Sequence, residues 1–232
     1  MSESVSDNLA KVRKRIELAC HAAGRQPSAV LLLAVSKTKT AQAVREAYAA
    51  GQVAFGENYI QEGVDKIASL ADLPLEWHCI GPIQSNKTKL VAENFTWVHS
   101  IDRLKIAQRL SEQRPPHLPP LQVCLQVNVD GGNNKSGVEP AELLDLAKEI
   151  SLLPRLALRG IMSIPEPTTT PEATHAVHHQ AKLMFESLVA AGIKLDTLSM
   201  GMTDDLDAAI AEGSTCVRVG TAIFGQRALK TG

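Results

Sequence analysis

Short apolar segments alternate strictly with stretches of helical periodicity from residue 30 onward. The first apolar segment, residues 30–35, reads Val-Leu-Leu-Leu-Ala-Val, a continuous run typical of a strand that is buried on both faces. Seven further strands are predicted at 53–55, 76–80, 95–100, 121–129, 156–164, 195–200 and 216–219. Helices are predicted between the strands at 40–50, 59–70, 85–93, 102–113, 140–153, 171–191 and 203–212.

Strict alternation of this kind predicts a parallel sheet with right-handed crossovers, and eight units is the number that closes a (β/α)8 barrel. The predicted fold class is therefore α/β, a single (β/α)8 TIM-type barrel that spans residues 1–232 as one domain. An extra amphipathic helix is predicted at 7–23, and no second β-domain is expected. The alternative is an open doubly wound sheet, but no GxGxxG motif follows the first strand.

Composition restricts the partners of the chain. The formal net charge is -1 and aromatic residues make up 3%, so neither a basic surface for nucleic acid or membranes nor a base-stacking surface is expected. The four cysteines form no CxxC pair, and residues 1–14 lack the apolar segment of a signal peptide. No apolar run approaches the roughly 20 residues that a membrane span needs. We therefore expect a cytoplasmic protein with reduced thiols.

Lys37 closely follows the first strand, at the end where (β/α)8 barrels place their active sites. Strand alternation puts Leu33, Val35 and Lys37 on one face, so an inward face would hold the amine above barrel-filling side chains. Partial desolvation there favours the neutral amine, which attacks aldehydes. The alternative is a lysine that extends from the strand end into solvent. Lys39 has the same parity but lies further from the strand.

A second group of candidates follows strands seven and eight, where barrels of this kind often bind phosphate. Gly201 and Gly220 allow the backbone to approach an anion closely, and Ser199 and Thr221 supply hydroxyl groups. Arg218 is available to a phosphate or to a ring. The alternative is that both glycines only form turns. A lysine that forms a Schiff base beside a phosphate site is what pyridoxal 5'-phosphate (PLP) requires.

Three histidines, His175, His178 and His179, have metal-like spacing on the helix predicted after strand six. No carboxylate or cysteine obviously completes a ligand set, so we predict a solvated outer face and no metal site. Asp204 and Asp205 lie near the start of the next predicted helix. They are interpreted as capping residues that favour its N-terminus.

Six segments resemble motifs of the pyridoxal phosphate homeostasis protein family, which is similar to the barrel domain of alanine racemase. The motifs occur in the family's order and cover nearly the whole chain. They are residues 34–38 (AVSKT), 55–62 (FGENYIQE), 77–87 (WHCIGPIQSNK), 135–137 (KSG), 199–205 (SMGMTDD) and 218–225 (RVGTAIFG). The resemblance implies a barrel that binds PLP as its cofactor.

The resemblance also implies roles for individual residues. Lys37 would carry PLP as a Schiff base, and Asn58 would lie near the cofactor. The phosphate region would be held by Ser199, Gly201, Arg218, Gly220 and Thr221. Lys135 matches a family lysine in the loop after strand five, and the resemblance leaves its use in PLP transfer open. Thr203 stands where many members have serine, which keeps the hydroxyl group.

The implied function is that of a PLP carrier or buffer in intracellular PLP (vitamin B6) homeostasis, not an enzyme. A two-base racemase needs a second base opposite the lysine, and in alanine racemase a tyrosine from a partner's C-terminal β-domain supplies it. The only tyrosines here are Tyr48, inside a predicted helix, and Tyr59, in a loop. Two alternatives stay open: a weak PLP-dependent racemase or decarboxylase, and a sugar-phosphate barrel with Lys37 as an aldolase-type lysine. PLP-dependent apo-enzymes are candidate partners, and a monomer is expected.

Overall fold

A computed structural model describes residues 4–131 and 136–226. Its strands are β1 (Leu31–Val35), β2 (Ala54–Glu57), β3 (Glu76–Cys79), β4 (Trp97–Ile101), β5 (Leu121–Gln126), β6 (Leu156–Met162), β7 (Thr197–Ser199) and β8 (Cys216–Val219). Its α-helices are α1 (Val5–Ala22), α2 (Ala41–Ala49), α3 (Ile60–Ser69), α4 (Thr88–Asn94), α5 (Leu104–Gln113), α6 (Leu143–Ser151), α7 (Pro171–Ala190), α8 (Leu206–Ala211) and α9 (Thr221–Phe224).

The eight strands form one closed barrel in chain order, and every neighbouring pair is parallel. β1 closes the barrel against β8, with Leu31 opposite Cys216 and Ala34 opposite Val219. The predicted (β/α)8 barrel is therefore confirmed. Because all strands run the same way, their carboxyl ends share one edge, which we call the carboxyl rim. Their amino ends surround the opposite opening, the amino-terminal mouth.

Alternate residues of β1 serve two different cores. Leu32 and Ala34 belong to the large apolar cluster between the strands and the helices. Leu33 and Val35 belong to a small separate cluster that fills the barrel lumen. The other members of this lumen cluster are Ala54, Ile80 and Cys216. The inward face predicted for the odd-numbered residues of this strand is thus confirmed at Leu33 and Val35.

Helix α1 begins at a capping box in which Ser4 and Asp7 bond to each other's backbone N–H. Its buried stripe includes Leu9, Val12 and Ile16, which pack into the outer core. Asn8 donates a hydrogen bond from Nδ2 to the carbonyl oxygen of Ile223, at 3.0 Å. The extra N-terminal helix therefore anchors α9, the short helix that follows β8.

Several element ends differ from the prediction. β5 ends at Gln126. The Val127 N–H still donates to the Met162 carbonyl oxygen of β6, but from there the backbone pairs with the loop at Val138. α8 begins at Leu206, three residues later than predicted, and α9 was not predicted because four residues carry no periodicity. Among the described residues, no helix combines the length and apolar character that a membrane span requires.

Candidate functional site

Lys37 lies at the carboxyl rim, two residues beyond Val35, the last lumen residue of β1. Its side chain is half-buried. The next residue, Thr38, has a φ of 63°, a left-handed conformation that is uncommon outside glycine. Such strain persists only where neighbouring contacts impose it, and here the Thr38 N–H donates to Glu62 Oε1 at 2.6 Å.

The turn that carries Lys37 is held from behind by a buried ion pair. Lys66 Nζ donates to Glu57 Oε1 at 2.6 Å and to the carbonyl oxygen of Ser36 at 2.8 Å. The Ser36 hydroxyl also donates to Glu57 Oε1, at 2.6 Å. Burial raises the pKa of Glu57 although Lys66 and Ser36 oppose the shift. The backbone on both sides of Lys37 is thus fixed by α3 and the end of β2.

Lys39, the weaker lysine candidate, is engaged elsewhere. Its Nζ donates to the carbonyl oxygens of Phe224, Gly225 and Gln226 at 2.9, 2.9 and 3.0 Å. A cation there satisfies carbonyl groups at the C-terminus of α9. The structure therefore gives Lys39 a structural role, whereas Lys37 lies half-buried in the turn that follows the lumen residue Val35.

Gly220 brings the end of β8 against the strand of Lys37. A Cβ atom at Gly220 would lie 3.2 Å from the Val35 carbonyl oxygen, so only glycine lets these two backbones approach without displacement. Thr221 follows as the first residue of α9. Gly201, after β7, has a φ of 94°, and a Cβ there would lie 2.5 Å from Ala209 Cβ. Geometry therefore requires glycine at 201, whereas a side chain at 220 would need the Val35 backbone to shift by a few tenths of an ångström.

Asn58, which follows β2, packs closely against Gly81, a glycine that was not predicted to matter for the site. A Cβ atom at Gly81 would lie 2.2 Å from the Asn58 carbonyl oxygen. The buried Oδ1 atom of Asn58 has no hydrogen-bond partner among the described residues. Ser163 Oγ, beyond the end of β6, is also buried and has no hydrogen-bond partner among the described residues. Buried polar atoms are nearly always satisfied, so both atoms are candidates for contact with a ligand.

Arg218 is buried inside the barrel and donates to two oxygen atoms. Its guanidinium reaches Ser199 Oγ at 2.8 Å and the Ser163 carbonyl oxygen at 2.7 Å. Burial lowers the pKa of Arg218. Within the described part of the chain, no carboxylate forms a hydrogen bond with this guanidinium. The structure therefore brings Ser199 and Arg218 together in the lumen, below the rim positions of Lys37 and Gly220.

A hydrogen-bonded chain of side chains continues from Ser199 down the lumen. Ser199 Oγ lies 2.9 Å from His99 Nδ1, and His99 Nε2 lies 2.8 Å from His78 Nδ1. His78 Nε2 lies 2.8 Å from Glu76 Oε1, at the amino-terminal mouth. Sequence analysis did not identify this chain. A signal was present, because His78 shares the lumen parity of Ile80, but only the closed barrel shows that His99 of β4 and Ser199 of β7 meet across the lumen.

The histidine group on α7 corrects one prediction. His175 and His179 are exposed and both contact Glu212 at 2.9 Å, as expected for an outer face. His178 is fully buried and contacts Asp205 Oδ2 at 3.0 Å, so a solvated face is wrong for this residue.

The capping role predicted for Asp205 is also wrong. Asp205 occupies the N-cap position of α8 but makes no side-chain bond to that helix. Its Oδ1 atom instead accepts from the Met202 N–H at 2.6 Å, and its Oδ2 atom contacts His178, so both oxygen atoms are engaged outside α8. No group of three metal-binding side chains occurs in the described ranges. Lys135 lies outside the described residues.

The chain is similar to known proteins over nearly its whole length. The sequence model of the family "Alanine racemase, N-terminal domain" matches residues 8–228. The "Pyridoxal phosphate homeostasis protein" of Pseudomonas aeruginosa is 62% identical over 224 residues, which cover 97% of this chain and 96% of that protein. The protein of the same name from Escherichia coli K12 is 54% identical, covering 96% and 97%. The solved structure of PipY from Synechococcus elongatus with PLP bound superposes with a TM-score of 0.84, at 39% identity, covering 96% of this chain and 100% of PipY.

Proposed function

The chain belongs to the family of pyridoxal phosphate homeostasis proteins, and on this basis we propose that it binds PLP as a Schiff base on Lys37. Its role would be that of a carrier or buffer in PLP homeostasis. The observation that carries the proposal is the placement of Lys37. It follows the lumen face of β1, on a turn fixed by the Glu57–Lys66 pair, while Lys39 is bonded to α9. In the proposed reaction the Lys37 nitrogen bonds to the aldehyde carbon of PLP and one water molecule leaves.

The residues present fit the remainder of the cofactor. PLP carries a phosphate group and a ring with a hydroxyl group and a nitrogen atom, so it needs donors, acceptors and a close backbone. We assign the phosphate region to Gly201, Gly220 and Thr221, with Arg218 supplying a buried positive charge and Ser199 acting through its bond to Arg218. Asn58 would contact the cofactor, and its buried Oδ1 atom without a described partner supports this assignment.

A carrier is favoured over an enzyme by what surrounds the lysine. When bound, PLP supplies an aldehyde and an electron-withdrawing ring, and catalysis would need a protein acid or base on the opposite face. Tyr59 is half-exposed at the start of α3, and Tyr48 lies within α2, so neither tyrosine is held in a buried site. The name of the relatives points the same way. The competing proposal is a weak PLP-dependent racemase or decarboxylase.

One experiment tests the Schiff base directly. The protein is incubated with PLP and its absorbance recorded, with Lys37→Ala and Lys39→Ala as matched variants. We expect a band at about 420 nm in the wild type and in Lys39→Ala, and none in Lys37→Ala. Borohydride reduction followed by peptide mass analysis should place the label on Lys37. A wild-type protein without the band would remove the PLP proposal and favour a barrel for another phosphate ligand.

A second experiment separates the carrier from the enzyme. PLP-loaded protein is incubated with individual amino acids, and racemisation and decarboxylation are followed over many equivalents. The carrier proposal expects no turnover, together with restoration of activity when PLP-loaded protein is mixed with a PLP-dependent apo-enzyme. Sustained turnover that is lost in Lys37→Ala would establish the enzyme instead. The monomeric state and the cytoplasmic location stay predictions.

A further inference from the structure

Three side chains link the buried Arg218 to the carboxylate of Glu76 at the amino-terminal mouth. In order they are Ser199, His99 and His78, and each of the four contacts is between 2.8 and 2.9 Å. His99 and Ser199 belong to β4 and β7, which lie three strands apart around the eight-stranded barrel, so this bond spans the lumen. We call this set the lumen chain. It includes the two histidines and the carboxylate that the proposed PLP site does not use.

The direction of every hydrogen bond in the lumen chain follows from its two ends. Arg218 is donor-only and Glu76, when ionised, is acceptor-only. Glu76 must therefore accept from His78 Nε2–H, which leaves His78 Nδ1 as an acceptor. That atom must accept from His99 Nε2–H, which leaves His99 Nδ1 to accept the hydroxyl hydrogen of Ser199. Ser199 Oγ in turn accepts from Arg218. All hydrogens then point from the cation toward the carboxylate, and both imidazoles are neutral.

Burial supports this arrangement. His78 and His99 are almost fully buried, and desolvation lowers the pKa of both, with the like charges of His78 and Arg218 adding to the shift at His99. Glu76 is the only member with an exposed side chain, at 43%. It lines a cavity of about 650 Å³ at the amino-terminal mouth, together with both histidines. Solvent protons therefore reach the lumen chain at Glu76.

We propose that Glu76 is a positioning residue whose charge sets the direction of the Ser199 hydroxyl hydrogen, two imidazole rings away along the lumen chain. With Glu76 ionised, Ser199 gives its hydrogen to His99 and offers only a lone pair to the carboxyl rim. With Glu76 protonated, the chain gains one proton from solvent. Each imidazole keeps one proton but on the other nitrogen atom, and the Ser199 hydrogen is released toward the rim. Only the effect of this switch on PLP depends on the proposed function.

Other charged and polar groups near Glu76 hold it in the ionised state. His78 donates to it from β3, Trp97 donates from β4, and Arg159 adds a positive charge from β6, which together lower the pKa of Glu76 against the opposing effect of burial. Arg159 is itself paired with Asp196, with Nε to Oδ1 at 3.0 Å. Asp196 therefore lines the same mouth without belonging to the lumen chain, and provides a charge-matched control.

The test is to locate the protons on His78 and His99 by long-range ¹H–¹⁵N NMR of protein without PLP. Signals are assigned with His78→Gln and His99→Gln. In the wild type at neutral pH, we expect one proton on Nε2 of each imidazole. Glu76→Lys replaces the acceptor by a donor, so we expect both protons to move to Nδ1. Glu76→Gln offers both a donor and an acceptor, so we expect a mixture of the Nε2–H and Nδ1–H forms of each imidazole. Asp196→Asn should leave the wild-type pattern.

Either of two results would overturn the proposal: an Nδ1 proton on either imidazole in the wild type, or an unchanged pattern in Glu76→Lys. The wild-type measurement requires no substitution, so it stands even where a variant does not fold. Because the protein contains no PLP in this experiment, the outcome is independent of the absorbance test of Lys37. If the absorbance test fails but both imidazole protons move to Nδ1 in Glu76→Lys, the lumen chain is retained and only its link to PLP is removed.

Discussion

Lys66 Nζ lies 2.6 Å from Glu57 Oε1, and the side chains of both residues are at least 95% buried, with exposures of 5% and 0%. The pair lies behind the turn that carries Lys37, since Lys66 also bonds the Ser36 carbonyl oxygen. Glu57 Oε2 has no hydrogen-bond partner among the described residues. A buried carboxylate in this position depends on its single cationic partner, because little water is available to replace it.

Removal of the Lys66 cation should therefore lower the free energy of unfolding more than neutralisation of the Glu57 carboxylate. We expect Lys66→Met to lower the free energy of unfolding by about 3–5 kcal/mol, because it leaves an unpaired buried charge. Adding Glu57→Gln to Lys66→Met should recover part of this loss. Urea unfolding measures both. The control is Arg45→Met, which breaks the exposed Arg45–Asp72 pair and should cost no more than about 1 kcal/mol. Equal losses in the Lys66 and Arg45 variants would contradict this reasoning.

Two glycines with similar backbone angles should respond differently to alanine. Gly201 has a φ of 94° and a Cβ there would meet Ala209 Cβ at 2.5 Å, whereas Gly192 has a φ of 89° and open space around it. Gly192→Ala should cost only the backbone strain, about 1–2 kcal/mol. Gly201→Ala should cost about 1–3 kcal/mol more, because it adds overpacking. Thermal unfolding of both variants measures the two losses of stability. Equal losses would mean that α8 moves away from the added methyl group without a measurable loss.

The fold could be predicted from sequence because the decisive signal is local. The continuous apolar run at 30–35 identified a strand buried on both faces, and its alternation grouped Leu33 with Val35, which both face the lumen. The end of β8 at Val219 was also predicted, and Gly220 follows it directly. The β5 boundary was less clear, since Val127 and Val129 are buried and alternate like strand residues, yet Val127 pairs with a loop.

The lumen chain could not be predicted in the same way. His78, His99 and Ser199 are far apart in sequence, and each is an ordinary polar residue within an apolar strand. Their contact depends on barrel closure, which lets side chains of β4 and β7 meet in the lumen, and on side-chain directions that no periodicity specifies. For the same reason His178 was predicted to lie on the outer face of α7, although its ring is buried and contacts Asp205.

Arg218 should be the most sensitive of the proposed phosphate-region side chains. Its guanidinium is buried and also holds Ser199 and the Ser163 carbonyl oxygen in place. We expect Arg218→Met to weaken PLP binding by about tenfold to a hundredfold, because one charged hydrogen bond contributes about 1.5–3 kcal/mol. Absorbance titration with PLP measures the Kd. Arg159→Met, which removes a cation at the amino-terminal mouth, is the control and should leave the Kd within about twofold.

The two buried histidines of the lumen should make the protein less stable in mild acid. Burial lowers the pKa of His78 and of His99, so in the folded state both stay neutral at a pH where the unfolded chain takes up protons. The unfolded state then binds more protons, and stability must fall as the pH drops below about 6.5, the unfolded value. Each histidine contributes a slope of up to about 1.4 kcal/mol per pH unit until its folded pKa is reached.

Urea midpoints at pH 7.5 and pH 5.5 measure this loss of stability. In His99→Gln the dependence on pH should be roughly halved, whereas in His117→Gln, a change in a loop outside the lumen, it should equal that of the wild type. A wild type with equal midpoints at the two pH values would show that the lumen histidines accept protons in the folded barrel.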